Sequence, residues 1–353
     1  MNRTGKAQQQ KSKANTRRVE KKRETPYTAA SLFAGMGGFC QAFREAGFKM
    51  LWANENDPFC NKTYQHNFPD TQLYTQSIDD LSVAADKLAA VDVLTAGFPC
   101  QAFSVAGRQE GFRDERGRVF FSMMRLLKEF GAQKPKILLL ENVKNLRSHD
   151  KERTFQKVTQ AIQQAGYWFM PHHAQVLNTA THTNIPVNRE RLFMVGLRQD
   201  VFSSDVFNFP KPSREQDRKN FRSMLDTTKK ADDYYFKEGS QYHPLFVEKM
   251  RHGSPDSVYL LRRSYVREHT TIKVPTLMAS MGGGGHNVPV IRDKYGIRKF
   301  TEVECLRFQG MEKFAFPDDL SRTQKYKQIG NAVTVPLVEK LAVECRRRLN
   351  ALY

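Results

Sequence analysis

This sequence predicts an α/β protein: a doubly wound, mostly parallel sheet joined to a second, smaller domain. Three observations carry that expectation. Apolar strand-like runs alternate with amphipathic helical stretches over residues 26–198, the rhythm of a parallel sheet covered on both faces. A glycine-rich turn, "AGMGG", directly follows the first of those runs, at the end of a strand where such sheets bind ligands. From residue 199 to about 275 the rhythm gives way to polar sequence rich in Lys, Arg and Tyr with no long periodic segment, as in a small domain built for contact.

Each element follows from local pattern. "TAASLF" reads as a buried strand entering the glycine turn, and "FCQAFREAG" has helical spacing that stops at Gly47. "FKMLWANE" is a second strand closed by an acidic residue, and "DPFCNKTYQHN" opens a helix with Asp-Pro. "VDVLTAG" is a further strand, "RVFFSMMRLLKEF" an amphipathic helix and "KILLLEN" a strand. "RTFQKVTQAIQQAG" is a helix closed by glycine, and "RLFMVGLR" is strand-like. Periodicity resumes at "TEVECLRFQG" and ends in the helix "VPLVEKLAVECRRRLNALY".

The 353 residues, 40% hydrophobic with 25 Phe, suffice for a large core and a smaller one. No run approaches the roughly 18 apolar residues that span a bilayer, and the N-terminus lacks a signal-peptide core, so a cytoplasmic protein without a membrane partner is expected. Lys and Arg outnumber Asp and Glu by 56 to 37, a net charge of +19 that points to a polyanion, nucleic acid before membrane. Residues 1–24 carry +7 of it in sequence nearly free of apolar residues, a segment expected to be disordered and to serve as a solvated arm or a nonspecific phosphate contact.

The five cysteines are scattered and form no C-x-x-C pair, so neither a disulfide framework nor a metal site is expected. Cys40, Cys60, Cys305 and Cys345 lie in apparent helices, where a thiol behaves as a small hydrophobe. Cys100, in "TAGFPCQAFS", lies instead in a Gly/Pro-punctuated loop at a strand end.

Four strand ends carry groups capable of chemistry: the glycine turn 35–38, Glu55, Cys100 and Glu141. Glycines bring the backbone close to a ligand, and an acidic residue closing the second strand accepts hydrogen bonds from ribose hydroxyls. These features indicate a nucleoside cofactor; "GMGGFC" departs from G-x-G-x-x-G, which counts against hydride chemistry. A thiolate and a carboxyl at neighbouring strand ends suit an electron-poor aromatic ring that is attacked covalently before it accepts a carbon.

With these residues in place, the chain resembles the DNA (cytosine-5) methyltransferases of bacterial restriction-modification systems. "LFAGMGGF", "NEND", "GFPCQAFSVAGRQEGFRDERGRVFF", "LLLENVKNLRSHD", "NIPVNRERLFMVGLR", "ASMGGGGHNVP", "RKFTEVECLRFQGMEKFAFPDD" and "YKQIGNAVTVPL" fall in the family's order over residues 28–345. The resemblance implies a Rossmann-like fold that uses S-adenosylmethionine and duplex DNA. It implies Cys100 as the nucleophile at C6 of a flipped-out cytosine, Glu141 at N3 and the exocyclic amine, and Arg189 and Arg191 on the cytosine O2 and phosphates. Phe33 would stack on the adenine, Gly35, Gly37 and Gly38 would approach the cofactor and Glu55 would hold its ribose. Ala34, Met36, Ile78, Pro99, Asn331 and Val333 would complete that site.

The last helix is therefore expected to return to the catalytic domain. The resulting division is a basic tail over 1–25, a catalytic domain over 26–198 and 329–353, a target-recognition domain over 199–300 and a connecting segment over 301–328. Two positions depart from the family pattern. Ser77 stands where many members have an acidic residue for the adenine amine, so either Asp79 shifts in or the contact is weaker. Val187 replaces a usual Gln before the Arg-x-Arg pair.

DNA contact is expected from Gln101, Arg108, Arg116, Arg262, Arg263, Arg267 and the glycine run at Gly283; arginine on guanine is the commonest base-specific contact. The target would be a short, GC-rich palindrome. A monomer working beside a cognate endonuclease, without stable binding to it, is the implied setting. Two other readings stay open, an RNA (cytosine-5) methyltransferase of the same fold and an inactive DNA-binding homologue; the intact Pro-Cys, Glu-Asn-Val and Arg-x-Arg argue against the second.

Overall fold

The computed structural model describes residues 25–99 and 115–353, except positions 215, 216, 218, 255, 270–272, 284 and 285 and the side chains of 115–117. Cys100, Gln101, Arg108, the side chain of Arg116 and the tail 1–24 therefore lie outside the described residues.

The large sheet grows outward from β1 (Thr28–Leu32), whose residues from Ala29 on are wholly buried. The chain leaves it through α1 (Gly38–Glu45), β2 (Lys49–Asn54), α2 (Pro58–Asn67) and β3 (Gln72–Tyr74), then crosses to β4 (Val93–Gly97) on the other side of β1. Further out come α3 (Glu115–Glu129), β5 (Ile137–Val143), α4 (Arg153–Gln164), β6 (Tyr167–Trp168), β7 (Ala174–Asn178), α5 (Thr179–His182), β8 (Val187–Asn188) and β9 (Glu190–Arg198). The order is β3-β2-β1-β4-β5-β9-β6, with β7 also on β9. β1 to β5 are mutually parallel, and β9 runs antiparallel to its neighbours. Successive strands are added on one side of β1 as far as β3 and on the other side from β4, and ligands bind such sheets outside the carboxyl ends at that switch point.

Local chemistry sets the helix starts. Asp57 caps α2 by accepting from the N–H groups of Phe59 and Cys60, with Pro58 in the first turn. Gly37, at φ 102°, begins α1 in a left-handed conformation, and a Cβ there would stand 2.2 Å from the Phe68 ring.

A second, four-stranded antiparallel sheet, in the order β11-β10-β13-β14, follows α6 (His243–Arg251). It consists of β10 (Val258–Arg262), β11 (Tyr265–His269), β13 (Pro289–Asp293) and β14 (Gly296–Lys299), with β12 (Val274–Pro275) between hairpins pairing instead with β8. Phe246 and Met250 of α6 cover one face over Tyr259, Leu261, Val266, Val290 and Ile297, forming a small separate core. Phe202, Phe207, Phe221 and Met224 pack instead into the large core, together with Val258, Ile291 and Phe300 from the second sheet's other face.

Arg298, fully buried, ties that sheet down: it pairs with Asp293 at 2.7 Å and with both oxygens of Glu304 at 2.8 and 2.9 Å. Glu304 also closes a capping box with Thr301 at the start of α7 (Glu302–Arg307). The chain then returns through α8 (Arg322–Asn331) and α9 (Val335–Asn350). Leu337, Val338, Leu341, Ala342 and Cys345 of α9 share a core with Ala42 and Phe43 of α1 and with Ala46, which caps it, and Arg346 donates to the Ala46 carbonyl at 2.8 Å. No helix among the described residues is long and apolar enough to cross a membrane.

Candidate active site

The turn after β1 and the end of β2 form one unit. The Gly35 N–H donates to Glu55 Oε2 at 2.8 Å, the Asp57 N–H donates to Glu55 Oε1 at 2.8 Å, and the Ala34 N–H donates to the Asn54 carbonyl at 3.0 Å. Glu55 is thereby aimed by two backbone donors, each oxygen keeping a free lone pair for a hydroxyl. Phe33 and Gly35 have positive φ, 52° and 56°, and among the described residues no atom beyond its chain neighbours lies within 4 Å of where a Cβ on Gly35 would stand. Gly38 closes the other side: a Cβ there would meet Met311 at 2.9 Å and Val333 at 3.0 Å. Val333 is buried and Asn331 exposed at the end of α8, Met36 and Ile78 are buried and Pro99 is exposed. An acceptor carboxylate beside an open glycine turn fits a nucleoside ribose, the part of S-adenosylmethionine that such a site would hold.

Asp79 is engaged by α3: Ser122 donates to its Oδ1 and Arg118 pairs with its Oδ2 at 3.0 Å.

Glu141 stands in β5 directly across from Gly97 of β4, three residues before Cys100. Burial pushes its carboxyl above the ordinary range, while Arg191 and Arg189 pull the other way. Arg191 Nε meets Glu141 Oε1 at 3.0 Å. Asn142, which sequence reasoning did not single out, donates to the Phe98 carbonyl at 2.9 Å and so fixes the backbone leading to Cys100. Its signal was a polar pair closing an otherwise apolar strand.

The other four cysteines are poor nucleophiles. Burial pushes Cys40 up to about 11 and raises Cys60, Cys305 and Cys345 well above the ordinary thiol range.

Arg189 departs from expectation. It is 2% exposed, and its guanidinium donates to three main-chain carbonyls: Leu277 at 2.8 Å, Gly330 at 3.2 Å and Ala332 at 2.7 Å. An arginine expected on cytosine O2 and phosphates is turned instead into the protein interior. Val187, two residues earlier, is wholly buried and faces Val274 across the β8–β12 pair, so the position that usually carries an amide is absorbed into the core.

On the second sheet, Tyr265 and Arg267 are exposed on either side of buried Val266 in β11, and Arg263, at φ 46°, forms the hairpin tip. Arg262 is half-buried and donates to Asn287 Oδ1 at 2.6 Å. Gly283 is exposed, but its neighbour Gly282 packs on α8, where a Cβ would come within 2.5 Å of the Thr323 carbonyl. The start of the glycine run thus serves close packing within the protein.

His172, His173 and Asp205 converge as a metal site would, yet both ring nitrogens of His173 already have protein partners. Nδ1 accepts from the Met170 N–H at 2.8 Å and Nε2 meets the Asp205 carbonyl.

A switch-point glycine turn with a ribose-type carboxylate, next to a desolvated strand-end glutamate, defines an S-adenosylmethionine-dependent methyltransferase fold. Residues 27–347 match the model of the C-5 cytosine-specific DNA methylase family, and the chain belongs to that family. It is 42% identical over 319 residues to the type II methyltransferase M.Bsp6I of Bacillus sp. (strain RFL6), covering 89% of this chain and 96% of the relative. It is 31% identical over 364 residues to M.HhaI of Haemophilus parahaemolyticus, covering 94% and 98%. In fold it is similar to a mutant of Spodoptera frugiperda DNMT2, with a TM-score of 0.69 at 18% identity over 91% of this chain and 99% of that one. The protein is a DNA (cytosine-5) methyltransferase of the restriction-modification type.

Proposed function

We propose that the protein methylates one cytosine within a short duplex sequence by covalent catalysis, with Cys100 as nucleophile and Glu141 as proton donor. The supporting observation is the placement of Glu141: desolvated, gripped by Arg191 and directly across from the strand end that leads to Cys100. Cys100 as thiolate adds to C6 of a cytosine extruded from the duplex, while Glu141, whose carboxyl burial shifts toward its protonated form, donates a proton to N3 and so draws electrons from the ring. Glu55 would hold the ribose of S-adenosylmethionine and the turn Phe33–Gly38 would lie against it, and the cofactor would supply an electrophilic methyl group there. C5, made nucleophilic by that addition, would take the methyl group as S-adenosylhomocysteine leaves; water would then accept the C5 proton as Cys100 is expelled, and N3 would return its proton to Glu141, restoring the aromatic ring.

Target choice belongs to the exposed face of the β10–β11 hairpin, with Arg263, Tyr265 and Arg267 meeting DNA and Arg262 braced by Asn287. Residues 26–198 with 329–353 form the catalytic unit, and 199–300 the recognition segment. The enzyme acts as a monomer in the cytoplasm, protecting sites that a separate endonuclease would cut.

Duplex DNA carrying 5-fluorocytosine at the target position tests the chemistry, because fluorine cannot leave as the proton does. The wild-type chain with S-adenosylmethionine forms a denaturation-resistant adduct, and Cys100→Ser forms none. An adduct that persists in Cys100→Ser, or maps to Cys40 or Cys305, refutes the assignment. Bisulfite sequencing of plasmid from cells expressing the gene gives the site; an unmodified plasmid beside methylated transfer RNA would transfer the activity to RNA.

A further inference from the structure

Arg189 joins three stretches of chain that are far apart in sequence. It stands between β8 and β9, two residues before Arg191, which grips Glu141. One guanidinium nitrogen holds the Leu277 carbonyl, in the strap that pairs with β8 and leads to the turn Ala279–Gly282. The other holds the Gly330 and Ala332 carbonyls, on either side of Asn331 at the end of α8. Burial and the charge of Arg191 pull Arg189 down to about 9, which leaves it cationic at neutral pH.

The strap and α8 meet without a gap. A Cβ on Gly330 would stand 2.1 Å from the backbone of Met278, and one on Gly282 would stand 2.5 Å from the Thr323 carbonyl. From the same strap Ser280 receives a bond from Asn287 Nδ2 at 3.2 Å, and Asn287 Oδ1 holds Arg262 at the root of the recognition hairpin. Asn287 has φ 65°, and its N–H donates to the Leu261 carbonyl at 3.3 Å, so it is fixed to β10 by main chain as well as side chain.

We infer that Arg189 is a positioning residue for methyl transfer, the buried pin of a rigid connection running from Arg262 through Asn287, the 277–282 strap and the end of α8 to Arg191 and Glu141. The inference rests on the DNA methylation reading and adds to it a route by which the recognition hairpin and the catalytic carboxylate are held in one frame. Contiguity alone does not demonstrate coupling; a double-mutant cycle does.

The experiment uses the full chain as wild type, Arg189→Lys, Asn287→Gly and the double variant, on unmethylated plasmid DNA with sites mapped by bisulfite sequencing. Lysine keeps the charge, but its ammonium cannot reproduce the planar fork that reaches three carbonyls. Glycine keeps the left-handed backbone at 287 and removes only the amide. Arg189→Lys is expected to lower kcat at least tenfold with KM for DNA within about twofold, and with an unchanged salt dependence of DNA binding. Asn287→Gly is expected to lower kcat at its mapped sites, and the two losses are expected not to multiply in the double variant.

A KM that rises while kcat holds, or a salt slope reduced by about one, would place Arg189 on a phosphate and overturn the inference. Losses that multiply would show two independent sites, with the same consequence. Should Arg189→Lys fail to fold, Asn287→Gly decides alone, since an unchanged kcat there breaks the connection. Failure of the wild type on any duplex would instead count against the DNA reading, while the salt arm still reports whether Arg189 meets the polyanion.

Discussion

Replacing Glu141 by alanine and by glutamine separates its structural and chemical contributions. Alanine leaves the Arg191 guanidinium, 18% exposed, without its carboxylate, and removing one partner of a buried pair costs about 3–5 kcal/mol. That is a large share of the roughly 5–15 kcal/mol that holds a typical protein folded. Glutamine keeps the volume and an acceptor oxygen for Arg191 Nε, so its loss is smaller, yet it has no proton to give N3, and methyl transfer should fall by about 10² to 10⁴.

The pH dependence has a definite sign. Burial raises the Glu141 carboxyl in the folded chain above its ordinary 4.5, so its contribution to stability is fully present below 4.5 and is lost as pH rises through the folded value. Glutamine does not titrate; the Tm of Glu141→Gln minus that of the wild type therefore grows with rising pH above 4.5. Thermal unfolding across a pH series, beside methyl-transfer rates on plasmid DNA, reads all three quantities. A Tm difference that is flat or falls with pH, or Glu141→Ala as stable as Glu141→Gln, would refute the placement of this carboxyl.

Gly37→Ala forces an L residue to φ 102° and a methyl into the Phe68 ring, a combined loss of about 2–5 kcal/mol in denaturant unfolding. Gly35→Ala, where no described residue beyond its neighbours comes within 4 Å of the added methyl, should lose only the backbone part, about 1–2 kcal/mol. Arg267→Ala should relax the methylated sequence at one base pair by roughly 1–3 kcal/mol if the side chain reads a base edge, whereas uniform weakening over all sequences assigns it to a phosphate. Alkylation of the native chain near neutral pH, followed by peptide mapping, should label Cys100 and spare the other four cysteines, whose thiols burial holds neutral; all five should react after denaturation.

What the sequence made legible was local. The glycine turn, the Asp57 cap and Glu55 could be read because strand, turn and helix follow one another within a few residues, and Glu141 because it ends an apolar run. The reversed direction of β9 was not legible, since an isolated apolar strand carries no mark of its direction. Arg189 was misplaced for a related reason: its carbonyl partners are 88, 141 and 143 residues away, and a backbone acceptor has no signature in side-chain sequence. The glycines at 282 and 283 look alike in sequence, and only the approach of α8 sets Gly282 apart. The fate of Asp79 likewise depended on Ser122 and Arg118 from a helix forty residues on.

The packing of α9 on α1 bears on how the chain is made. Ribosomal synthesis delivers α1 about three hundred residues before the helix that covers it, so the apolar side of Ala42, Phe43 and Ala46 waits through production of the whole recognition sheet. During that interval the nascent chain presents a sticky face for chaperones to shield. A stop codon introduced before Val335 should send the product to inclusion bodies, and supplying the α9 peptide in trans should recover part of it in soluble form.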